Sequence, residues 1–90
     1  MLVNVADTRS DIVEAVEAER IRQDNIWGTA FDDANTANDW AKYVADYGLA
    51  AAGLQFDREH FRKKMVQAAA LAMAAIEALD RGGPAPRHYD

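Results

Sequence analysis

Phe61-Arg62-Lys63-Lys64-Met65-Val66-Gln67-Ala68-Ala69-Ala70-Leu71-Ala72-Met73-Ala74-Ala75-Ile76-Glu77-Ala78-Leu79-Asp80-Arg81 is the stretch that decides the fold. Phe61, Met65, Ala68, Ala72, Ala75, Ile76 and Leu79 recur at steps of three and four, the period of a helix with one buried side. Ala69, Ala70, Ala74 and Ala78 surround that stripe with small residues, so neighbouring helices can approach closely from more than one direction. Asp57 stands where it can cap the start, and Gly82-Gly83-Pro84 stops the run. The pattern predicts a helix over about 58–81 at the centre of the assembly. Residues 84–90 cannot continue it and form a tail that is either a docked extended arm or disordered.

Upstream of this helix, Trp40, Tyr43, Val44, Tyr47, Ala50, Ala51 and Leu54 form a second stripe of helical period. Thr36-Ala37-Asn38-Asp39 reads as a capping box with Asp in place of Glu or Gln, predicting a helix over about 37–53. Gly48 inside it costs about 1 kcal/mol relative to Ala, and a closely approaching neighbour helix is the expected compensation. Gly28 to Asn35 lacks helical period and reads as a loop. A first helix is expected over about 9–25, capped by Asp7, Thr8 or Ser10, with Ile12, Val13 and Val16 opening its apolar stripe. The expectation is an all-α fold, a three-helix antiparallel bundle in one domain of 90 residues.

Half of the residues are apolar, but many are alanine, which removes little area from water. A lone subunit therefore has a thin core, and assembly into a helical homo-oligomer, a dimer or tetramer, is expected to bury more. The net charge of −5 argues against nucleic acid as a partner, because neutralising phosphates takes a surplus of Lys and Arg. The absence of cysteine excludes disulfides and thiolate metal sites. Neither the opening Met1 to Asp7 nor the run Val66 to Leu79 has the features of a signal peptide or a membrane span. No membrane partner and a cytoplasmic location follow as expectations.

Continuing the stripe of the first helix leads to Glu19, Arg20 and Gln23 before Ile26 and Trp27, so polar groups occupy the face that should be buried. Such groups need partners. For Arg20 these are either a carboxylate such as Asp39 or Asp46, within or between subunits, or a ligand. Arg58, Arg62, Lys63 and Lys64, with His60, gather at the start of the last helix, where cations oppose the macrodipole by about 0.3–1 kcal/mol each. An anion nearby rationalises them, either a phosphate or the chain's own Asp and Glu. Trp27, Trp40, Tyr43 and Tyr47 are either core or a stacking surface for a base. Glu77 and Asp80 are the candidate magnesium ligands, near the end of their helix.

These residues also carry a resemblance. Glu19-Arg20-Ile21-Arg22-Gln23, then Trp27-Gly28 and Asp32-Asp33, then Val66-Gln67-Ala68-Ala69-Ala70-Leu71, Ile76-Glu77-Ala78-Leu79-Asp80-Arg81 and the closing Pro86-Arg87-His88-Tyr89-Asp90 resemble small MazG-like proteins common in phages and prophages. The resemblance implies an all-α fold that assembles as dimers or tetramers in the host cytoplasm. It also implies, for active members, magnesium-dependent hydrolysis of nucleoside triphosphates to monophosphates and pyrophosphate. Active members carry Glu-Glu-x-x-Glu on one helix and Glu-x-x-Asp on the next. Here Trp40-Ala41-Lys42-Tyr43-Val44-Ala45-Asp46 lacks the first pattern, and only Glu77-Ala78-Leu79-Asp80 fits the second.

The leading expectation is a non-catalytic oligomer that binds, and can sequester, a nucleotide or similar phosphorylated small molecule. Arg20, Gln23, Trp27, Trp40, Tyr43, Arg62 and Lys64 are its ligand-binding residues. A divergent magnesium-dependent pyrophosphohydrolase and an acidic protein that inhibits a host protein are the alternatives.

Overall fold

A computed structural model describes residues 5–86, and the expectations for Arg87 to Asp90 lie outside the described residues. Those described are all-helical, in four helices: α1 (Val5–Ile26), α2 (Gly28–Ala34), α3 (Ala37–Ala51) and α4 (Arg58–Asp80). The expected loop at Gly28 to Asn35 is instead the short helix α2. It has no period to read because seven residues make barely two turns.

α1 begins at Val5, not near residue 9, so Asp7, Thr8 and Ser10 lie inside it instead of capping it. Caps set the boundaries of α3 and α4. At the start of α3, Thr36 Oγ1 accepts from the Asp39 N–H at 3.1 Å, and Asp39 Oδ2 accepts from the Thr36 N–H at 2.9 Å. Asp39 thus replaces Glu in a complete capping box. Asp57 caps α4 by accepting from the His60 N–H, and the His60 ring bonds the Ala50 carbonyl at 2.7 Å, tying the start of α4 to the end of α3. At the far end Gly82 adopts φ 114°. The N–H groups of Gly82 and Gly83 return to the carbonyls of Leu79 and Ala78, a Schellman ending that favours glycine at the left-handed position.

α4 is the spine. α1, α2 and α3 all pack on it, but the backbones of α1 and α3 do not come close to each other, so the arrangement is more open than a bundle in which each helix packs on both others. Buried Ala68, Ala70, Ala74 and Ala78 let the neighbours close in on α4. Trp40, Leu71, Ala74 and Ala78 form the core, with Tyr43, Val44, Tyr47 and Ala75 packed around it. Gly48 does not serve close helix packing as expected: a Cβ placed there would meet nothing within 4 Å.

α2 is held by Arg81, which donates to Asp33 Oδ1 from Nε at 3.0 Å and from Nη2 at 2.7 Å. The segment after α4 docks on the α2–α3 junction, where the Ala85 N–H donates to the Asn35 carbonyl at 2.9 Å. The molecule measures 56 × 30 × 21 Å with a radius of gyration of 15.0 Å, whereas a compact chain of this length has about 12 Å. Among the described residues no large side chain is fully buried, and Leu49, Leu54, Phe56 and Ile76 are well exposed. None of the helices is long and apolar enough to cross a membrane.

Candidate functional site

The turn from α1 into α2 builds the most distinctive feature. The Trp27 N–H still bonds the Gln23 carbonyl at 2.9 Å, and Gly28 then takes φ 79°, a left-handed value that glycine adopts without a Cβ penalty. The chain turns into α2 with no spacer, which puts Phe31 one helical turn beyond Trp27. Their rings stack with centroids 5.8 Å apart, and Phe31 stacks in turn on Tyr43 of α3 at 6.3 Å. Although the backbones of α1 and α3 do not approach closely, this aromatic row links the end of α1 through α2 to α3. Trp27, Phe31, Tyr43, Tyr47 and Leu71 line a cavity of about 190 Å³. That is smaller than the roughly 300 Å³ of the smallest drug-sized pockets, and suits one flat ring.

Lys64 Nζ lies 5.3 Å from the ring centroid of Tyr47 at one end of this cavity, a cation–π contact. On α1, Arg22 grips Glu19 with two hydrogen bonds of 2.8 Å. These hold the Glu19 carboxyl below its usual range, against the opposing effect of partial burial. Arg62 is not brought to this cavity. It lines a separate groove of about 570 Å³ between α1 and α4, with Glu19, Arg22, Glu59, Lys63 and Gln67, because residues two apart on a helix face different ways.

The polar seam of α1 finds most of its partners inside the chain. Arg20 is 6% exposed and bonds neither Asp39 nor Asp46. Its Nη2 lies 2.9 Å from both Asp24 Oδ1 and Glu77 Oε2, and 3.9 Å from Asp32 Oδ2. Burial disfavours the guanidinium charge, but the hydrogen bonds to Glu77 and Asp24 outweigh it and raise the Arg20 pKa. Burial likewise pushes the Asp32 carboxyl above its ordinary value, with Arg20 opposing. Gln23 Nε2 donates to Glu19 Oε2 at 3.0 Å and reaches toward the Gln67 carbonyl at 3.5 Å. Arg20 Nε and the amide oxygens of Gln23 and Gln67 are buried without partners.

The expected binding residues therefore separate. Trp27 and Tyr43 line the aromatic cavity, and Lys64 lies over the ring of Tyr47, another of its walls. Arg20 and Gln23 are structural members of the α1–α4 seam. Trp40 belongs to the core, edge-on to Tyr43 at 6.3 Å, and offers no free face for stacking. Of the candidate metal ligands, Glu77 is engaged by Arg20 and Asp80 is exposed. Among the described residues no group of three His, Cys, Asp or Glu could hold a metal ion. Phe31 is the residue that sequence reasoning missed. Its spacing of four from Trp27 was the available signal, masked by reading Gly28 to Asn35 as a loop. No family model, curated protein or solved structure matches the chain.

Proposed function

We propose that this chain is a non-catalytic binding protein for a nucleotide or nucleotide-like phosphorylated small molecule, working as a homo-oligomer. A planar ring stacks against the Trp27–Phe31–Tyr43 row from the cavity that these residues line with Tyr47 and Leu71, and phosphate oxygens are met by Lys64 at the Tyr47 end. The observation that carries this reading is the aromatic cavity with the Lys64 ammonium at 5.3 Å from its Tyr47 wall. Aromatic stacking contributes about 1–3 kcal/mol per base in nucleic-acid binders, and a flanking cation adds selectivity for an anionic substituent. The resemblance to small phage MazG-like proteins supports the same ligand class. Turnover is left out of the reading because Glu77 is already bonded to Arg20.

Assembly is supported by surface area. The chain exposes 6775 Å², about 1,600 Å² more than a folded monomer of 9.9 kDa typically does. Burying that excess against other copies brings the exposed apolar side chains out of water.

Isothermal titration tests the binding, using a panel of nucleoside mono-, di- and triphosphates and cyclic dinucleotides. At least one class should bind, and Lys64→Ala should weaken it about tenfold, the loss of roughly 1.4 kcal/mol. Silence across the panel overturns the reading. Magnesium-dependent pyrophosphate release in the same samples overturns its non-catalytic part.

A further inference from the structure

We infer that a second copy of this chain docks in the apolar groove between the start of α1 and the first half of α4. This deepens the self-association proposed above and rests on it. Ile12 and Val16 form one wall, and Phe61, Met65, Val66 and Ala69 form the other, around a volume of about 490 Å³. Ile12, Phe61 and Met65 are each at least 40% exposed in the single chain. Phe56, from the α3–α4 connection, also lines the groove; it is 76% exposed and meets the Phe61 ring at a tilt, with centroids 5.9 Å apart. Side chains of this size gain about 25 cal/mol for each Å² withdrawn from water, and among the described residues no other element lines this groove.

Area and charge both select a copy of the same chain as occupant. A stable interface removes about 800 Å² from each partner, so the excess exposure of about 1,600 Å² is enough for one such contact with surface to spare for another. Arg58 and Arg62 border the groove on α4, while Asp11 and Glu14 stand exposed on α1 on either side of Ile12 and Val13. In a two-fold contact each patch meets its partner's opposite number. The acidic start of α1 then faces the basic start of α4, and the two apolar grooves close on each other.

Sedimentation velocity decides the matter, with Met65→Glu and Ile12→Glu as groove variants and Leu79→Glu, at the far end of α4, as control. The wild type and the control should sediment as a dimer or larger. The groove variants should fall to the monomer mass with helical circular dichroism retained. A second measurement covers the case in which a charged variant fails to fold. The chain has no cysteine, so Met65→Cys should give a disulfide-linked dimer under mild oxidation far faster than Leu79→Cys. A monomeric wild type overturns self-association altogether. An assembled wild type whose groove variants also stay assembled, or that dissociates only with Leu79→Glu, overturns this surface and leaves assembly standing.

Discussion

Arg20 on α1 and Glu77 on α4, 57 residues apart in the chain, meet with 2.9 Å between Nη2 and Oε2. The contact fastens the long first helix to the spine and takes both residues out of the chemistry that their sequence positions suggest. Arg20 is the buried cation shared by Asp24, Glu77 and the buried Asp32, so removing it strands three carboxylates and empties the space of its stem. Arg20→Ala should therefore lower unfolding free energy by about 3 kcal/mol in urea denaturation. Glu77→Gln should cost about 1 kcal/mol, because Asp24 still partners Arg20 at 2.9 Å and the half-exposed Glu77 contact is screened by solvent. Equal losses from the two variants contradict this picture of the seam.

The two glycines of opposite kind give opposite signs. Gly28 holds φ 79°, so Gly28→Ala should destabilise by about 1–2 kcal/mol and disturb the Trp27–Phe31 stack. Gly48 lies inside α3 with open space at its Cβ position, so Gly48→Ala should stabilise by about 0.5–1 kcal/mol. Thermal unfolding of both variants against the wild type checks the pair.

Acid sensitivity divides between two carboxyls. Arg22 holds Glu19 below its ordinary pKa in the folded state, so the stability it adds is present above the unfolded value and is lost as pH falls through the folded one. Asp32 is raised by burial, so it works the other way and subtracts stability as pH rises through its folded value. Glu19→Gln should flatten the rise in urea midpoint from acid to neutral pH, and Asp32→Asn should steepen it. The reverse pattern contradicts the assignments.

The caps at Thr36 and Asp57, the stop at Gly82 and the alanine spine of α4 were legible in the sequence because each depends on residues close together in the chain. The partner of Arg20 was not, because a carboxylate 57 positions away is found only once α1 has crossed α4. The aromatic site was half legible. Trp27, Tyr43 and Tyr47 stood out by type, but nothing local shows that Trp40, at the same period, turns into the core while Tyr43 and Tyr47 stay half-buried. α2 escaped detection because two turns are too short to display a buried side, and Phe31 was lost with it.

Tryptophan emission tests the central claim most directly, because Trp27 lines the aromatic cavity while Trp40 is buried in the core. Titrating the wild type with the best binder from the nucleotide panel should quench emission in a saturable way. Trp27→Phe, which keeps the fold and the Trp40 signal, should abolish that quench, and Lys64→Ala should shift it to higher ligand concentration. A saturable quench that survives Trp27→Phe undiminished would place the ligand elsewhere and contradict the account.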